Sequence, residues 1–83
     1  MSKEVIVYSK QPCSGCDFTK QWLKEHHIPF EERRIDLSPD AMQRIVDLGF
    51  MGVPVVEVSG EAPWAGVNVD RLQGLLDKNG TSS

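Results

Sequence analysis

The sequence predicts an α/β fold: a four-stranded mixed sheet flanked by three helices, in the order β-α-β-α-β-β-α. Three observations carry this. Short β-branched runs alternate with helical periodicity in the first half of the chain. Two strand-like runs in the second half are joined through a Ser59-Gly60 turn. The apolar residues of each helical stretch fall on one stripe, and each stripe needs a sheet face to cover it.

Val5-Ile6-Val7-Tyr8 is the first strand, a β-branched and aromatic run short enough to be buried. Ser9 to Gly15 is rich in turn residues, and a helical pattern runs from about Cys16 to His27. There Phe18 and Trp22 lie four apart, as do Thr19 and Leu23, with Trp22 expected as core or half-buried packing. Lys20, Gln21, Lys24 and Glu25 supply the wet face. Ile28-Pro29 stops the helix, because a residue before proline is pushed out of helical dihedrals.

Phe30 to Leu37 reads as a second, more polar strand near an edge, with Glu31-Glu32-Arg33-Arg34 as a solvated face with local pairing. Ser38-Pro39-Asp40 starts the second helix: a capping serine, proline at the first helical position, and an acid near the positive end of the dipole. Ala41, Ile45 and Leu48 form its stripe, and Gly49 ends it. Val53 to Val58 is the third strand and Ala62 to Ala65 a short fourth, closing a hairpin. Asn68 caps a last helix with Val69, Leu72, Leu75 and Leu76 inward, ending at Asn79-Gly80. The expected organisation is one domain over 1–80 with a flexible tail at 81–83.

The 83 residues carry a net charge of −3, with 40% hydrophobic and 25% charged residues, a globular composition that excludes collagen-like and low-complexity chains. No basic footprint points to nucleic acid or anionic lipid, and no apolar run is long enough for a membrane span. Met1-Ser2-Lys3-Glu4 leads straight into the first strand without the h-region of a secretory signal, so a cytoplasmic location is expected. A monomer is expected too.

Cys13 and Cys16 are the two cysteines, two residues apart. A disulfide-stapled secreted mini-protein carries four or more, and so short a loop would stabilise weakly if bridged. Their value lies in reactivity or in metal binding. A Cys-x-x-Cys between a strand and a helix is the redox pattern of the thioredoxin class. Cys13 falls at the mouth of the helix, where unpaired backbone N–H groups and the positive dipole end favour a thiolate. Cys16, one turn in, shares the sheet-facing stripe with Leu23.

Metal binding needs further ligands, and His26 and His27 are the remaining soft or borderline donors. They stand at the far end of the same helix, about 15 Å away at about 1.5 Å per residue, and lack zinc-finger spacing. No metal site is expected, and the two histidines read as favourable C-terminal charges.

The chain resembles the glutaredoxin branch of the thioredoxin superfamily, and within it the NrdH-type redoxins. The resemblance rests on Val7-Tyr8-Ser9-Lys10 leading into Cys13-Ser14-Gly15-Cys16, on Thr19-Lys20, Leu48-Gly49-Phe50 and Val53-Pro54-Val55-Val56, and on Trp64-Ala65-Gly66-Val67 with Asp70-Arg71-Leu72. It departs in two places. Gly15 stands where relatives commonly have Gln, and Trp64-Ala65-Gly66-Val67 replaces a Trp-Ser-Gly-Phe segment.

The resemblance implies a thioredoxin-like fold and a dithiol-disulfide oxidoreductase. Cys13 would be the nucleophile and Cys16 the resolving residue, with no cofactor beyond their redox-active disulfide. It makes Pro54 the cis-proline beside the dithiol, with the Val53 backbone available to an extended substrate segment. Trp64 and Gly66 join the partner-binding set, to which Lys10, Pro12 and the loop residue Met51 are added. For Trp64 the alternative is cover for the sheet edge; for Lys10, an ordinary surface lysine; for Met51, a loop anchor. The implied partners are protein disulfides, class Ib ribonucleotide reductase as client and thioredoxin reductase as electron source. The runner-up function is a glutathione-dependent glutaredoxin, disfavoured by the bulky Pro63-Trp64-Ala65-Gly66 segment. A non-catalytic or zinc-binding α/β module is the remaining alternative.

Overall fold

The structure, a computed structural model, describes residues 4–78. Its elements are β1 (Val5–Ser9), α1 (Ser14–Glu25), β2 (Glu31–Arg34), α2 (Pro39–Asp47), β3 (Val55–Val58), β4 (Trp64–Ala65) and α3 (Val69–Lys78). The sheet order is β2-β1-β3-β4. β1 runs parallel to β2, with Val7 opposite Glu32, and antiparallel to β3, with Val7 opposite Val56. β4 closes the hairpin with β3 through Val56 opposite Trp64. The mixed four-stranded sheet and the element order are those expected from the sequence.

Alternation along β1 divides the interior. Val5 and Val7 point to one face and pack with Trp22, Leu23, Ile28, Val56, Val58, Trp64, Leu72 and Leu75, so α1 and α3 cover that face. Tyr8 points to the other, with Ala41, Ile45 and Val55 under α2. The buried Tyr8 hydroxyl donates to Glu57 at 2.9 Å, and Arg44 of α2 grips the same carboxylate with Nε and Nη2. Burial, and then the neighbouring Glu57, push the Tyr8 hydroxyl up from its ordinary pKa. Arg44, and then Tyr8, hold Glu57 below its own.

Several boundaries and faces differ from expectation. α1 begins at Ser14, two residues early, because Cys13 caps it. Phe18 stays 45% exposed: the buried stripe of α1 is Cys16, Thr19, Trp22 and Leu23. Lys20 leaves the wet face; its side chain is 15% exposed and pairs with Glu32 at 2.7 Å. β2 stops at Arg34, where the chain turns and Arg34 Nη2 donates to Asp36, two residues on, at 2.6 Å. β3 starts only at Val55 and β4 is limited to Trp64–Ala65. Val69, expected inward, is exposed at the first turn of α3, while Leu72 and Leu75 are buried. Ser38 caps α2 through the Ala41 N–H, Asn68 Oδ1 accepts from the Arg71 N–H, and Gly49 adopts φ +93°, as the sequence signals foretold. The expected helix end at Asn79-Gly80 and the tail at 81–83 lie outside the described residues.

Candidate active site

Cys13 occupies the N-cap of α1 with extended dihedrals, φ −160° and ψ 105°, and its Sγ accepts the Cys16 backbone N–H at 3.2 Å. That role normally falls to a Ser, Thr, Asp or Asn oxygen. A sulfur there sees the free N–H groups of the first turn and the positive end of the helix dipole, and both favour the thiolate. The Cys13 carbonyl accepts from Asp17 N at 3.1 Å, closing the first helical turn behind the cap.

The two cysteines form a disulfide with Cα atoms 5.3 Å apart. Their surroundings differ. Cys13 is half-buried, whereas Cys16 is 0% exposed, on the face of α1 that meets the sheet. An incoming group can reach the first sulfur and not the second.

The wall opposite the dithiol comes from the segment before β3 and the one after β4. The Val53 carbonyl stands 4.0 Å from Cys13 Sγ, a contact that becomes a hydrogen bond only when the sulfur carries a proton. Pro54 is buried and its bond to Val53 is cis; a second cis bond, Gln11–Pro12, carries no comparable sequence signal. The Pro54 carbonyl accepts from Gly66 N at 2.7 Å, which ties the wall to the turn after β4. Gly15 makes the close fit possible: a Cβ there would lie 3.3 Å from both Pro54 Cδ and Val67 Cγ2.

Charged residues brace the site from behind. Ser9, at the end of β1 and fully buried, donates to Glu32 Oε2 at 2.6 Å, and Lys20 of α1 donates to the same oxygen at 2.7 Å. Lys20, and then Ser9, hold the Glu32 carboxyl below its ordinary pKa. Glu32 therefore joins three elements, where the sequence suggested only local strand pairing. Arg33 with Glu31 and Arg34 with Asp36 do pair locally. Arg34 holds Asp36 down from 3.8 to about 2, and the Gln11 backbone in the loop before Cys13 adds to the effect.

Of the other residues singled out in the sequence, Pro12 and Lys10 are exposed on the loop before Cys13, and no described hydrogen bond or ion pair ties Lys10 to the dithiol. Met51 is 96% exposed, so it does not anchor its loop. Trp64 is 6% exposed, packed in the α1/α3 core under the Arg71 guanidinium at 4.6 Å. What reaches the surface near Gly15 of the dithiol loop is the turn after Trp64, with Gly66 at φ +83° and Val67 half exposed. Val67 lies outside the site residues expected from the sequence; its place two residues after the fourth strand is the signal that could find it. His26 caps the other end of α1 and stacks on Trp22, ring centroids 3.9 Å apart. No cluster of three or more metal-ligating side chains occurs among the described residues. None of the described helices is long and apolar enough to cross a membrane.

The glutaredoxin family model matches residues 5–62. The glutaredoxin-like protein NrdH of Lactococcus lactis subsp. lactis is 42% identical over 52 residues, 63% of this chain and 72% of the relative. That of Salmonella typhimurium is 31% identical over 71 residues, 86% of each chain. Among solved structures, the NrdH-redoxin of Escherichia coli matches with a TM-score of 0.80 at 28% identity, covering 87% of this chain and 93% of that one. The family match spans the strand, loop and helix that carry both sulfurs as well as the proline wall, and this chain therefore belongs to the glutaredoxin family, as an NrdH-type redoxin and a thiol-disulfide oxidoreductase.

Proposed function

We propose that this redoxin is a cytoplasmic dithiol carrier that reduces protein disulfides with Cys13 as nucleophile and Cys16 as resolving residue, and needs no further cofactor. The observation that carries the reading is the unequal pair at the mouth of α1: a reachable, N-capping sulfur and a second one fully buried. The Cys13 thiolate attacks one sulfur of the client disulfide. A mixed disulfide forms and the other client sulfur leaves as a thiolate. The Cys16 sulfur, once deprotonated, attacks Cys13 Sγ; the Cys13–Cys16 bond forms, the Cys13–client bond breaks, and the second client sulfur leaves with the electron pair. Two electrons reach the client, and the two protons needed for its thiols come from the redoxin dithiol and solvent.

In this reading Val53, Pro54 and Gly66 form the wall against which an extended client segment lies. Pro12, Lys10 and Met51 border it, and buried Trp64 supports the Gly66 turn. The client is class Ib ribonucleotide reductase and the electron source thioredoxin reductase. Two things support that choice over glutathione: the NrdH relatives, and the thioredoxin-like activity profile ascribed to the E. coli NrdH-redoxin. The test is an NADPH-coupled insulin reduction assay, run with thioredoxin reductase and again with glutathione and its reductase. Turnover is expected with the first and little with the second; the reverse overturns the choice of reductant. Cys16→Ser should accumulate a mixed disulfide with the client, and normal turnover by that variant without glutathione overturns the dithiol scheme.

A further inference from the structure

Cys16 and Thr19 share the buried stripe of α1, at 0% and 1% exposure. Three residues apart on a helix, their Cβ atoms are about 5–6 Å from one another. A helical threonine hydroxyl can bond back to a carbonyl three or four residues earlier. Thr19 Oγ1 is buried and makes no hydrogen bond to any described residue. An unpaired buried hydroxyl in a native structure calls for an explanation.

The redox state supplies one. The structure holds the bridged form, in which Cys16 has no proton and its sulfur is a weak acceptor. In the reduced protein the same atom is a thiol and, during resolution, a thiolate at a position that is fully buried in this structure. The charged and hydroxyl side chains on the surrounding elements are exposed or engaged elsewhere. Asp17 is exposed, Lys20 is held by Glu32 of β2, and Ser9 of β1 is committed to Glu32. Arg71 of α3 is held by Trp64 and the Ala62 carbonyl, and the 53–54 segment brings no titratable side chain.

We infer that the Thr19 hydroxyl donates a hydrogen bond to the Cys16 sulfur in the reduced protein and stabilises the resolving thiolate as it attacks. The inference rests on Cys16 being the resolving residue. Thr19 keeps its own proton throughout. Cys16 releases its proton to solvent, its sulfur bonds to Cys13 Sγ, the Cys13–client bond breaks, and the client sulfur leaves as a thiolate with the electron pair.

Ellman's reagent tests this on the intact protein. Attack by reduced Cys13 releases one thionitrobenzoate, and attack by Cys16 on the resulting mixed disulfide releases the second. Thr19→Val should slow the second phase about tenfold at neutral pH, the effect of losing one charge-assisted hydrogen bond, and move its pH midpoint upward. The first phase should be unchanged. Thr19→Ala should repeat the shift and Thr19→Ser should restore both rate and midpoint. A second phase with the normal midpoint in Thr19→Val and Thr19→Ala, whatever its rate, overturns the inference. A second release in Cys16→Ser would instead overturn the assignment beneath it.

Discussion

Glu32→Gln isolates the contribution of the charge behind the dithiol. The carboxylate accepts from the buried Ser9 hydroxyl at 2.6 Å and from Lys20 at 2.7 Å, with the Glu32 side chain 33% exposed. Hydrogen bonds to charged groups contribute about 1.5–3 kcal/mol each when shielded. Water reaches part of this carboxylate and competes, and exposed ion pairs contribute about 0.2–1 kcal/mol. Glutamine still offers Ser9 an acceptor, so removing the charge should cost about 1 kcal/mol. That corresponds to about 4–8 °C in Tm for a domain of this size.

The assay is urea unfolding of the oxidised protein at neutral and acid pH. The native carboxyl is held below its ordinary 4.5. Its contribution is therefore fully present above 4.5 and is lost as pH falls through the lowered native value. The gap between wild type and Glu32→Gln should be open at neutral pH and close in acid. Equal midpoints at neutral pH, or a gap that widens in acid, would show that the Glu32 charge does not stabilise the fold.

Asp36→Asn should remove a second acid-sensitive contribution: the native carboxyl titrates near 2 against an ordinary 3.8, so its stabilising effect is present above 3.8 and fades toward 2. Unfolding midpoints of the variant should be less pH-dependent than wild type across that interval; an unaltered slope counts against the Arg34 clamp. Leu23→Ala empties a fully buried position between α1 and the sheet and should cost about 2–5 kcal/mol, read as a lower urea midpoint; a loss under about 1 kcal/mol contradicts the packing described. Tyr8→Phe removes the hydroxyl bonded to Glu57 and should cost about 1 kcal/mol, with a smaller loss when Arg44→Ala is already present. Additive losses would show that the three groups do not act as a unit.

Much of this molecule is legible in its sequence because single residues carry strong local signals. Alternation in Val5-Ile6-Val7-Tyr8 decides which side chains face α1 and α3 and which face α2. Ser38-Pro39 fixes the start of α2, and the cysteine spacing puts one sulfur at a helix mouth and the other on its buried stripe. The misplaced features depend on partners distant in the chain. α1 starts early because a sulfur, an unusual capping atom, accepts the Cys16 N–H. Lys20 turns inward because Glu32, twelve residues on, waits across the edge of the sheet. Phe18 and Val69 remain exposed because Thr19 and Leu72 occupy the buried positions beside them. Val67 meets the dithiol wall only through the fold of the β3–β4 hairpin, which carries it to Gly15.

If capping α1 ionises Cys13, the rate of Cys13 alkylation by iodoacetamide against pH, in the reduced Cys16→Ser variant, reads that ionisation without interference from the second sulfur. The midpoint should lie well below the about 8.5 of an unperturbed thiol, moving back toward that value when the helix end is unfolded by denaturant. A midpoint near 8.5 in the folded protein would contradict it.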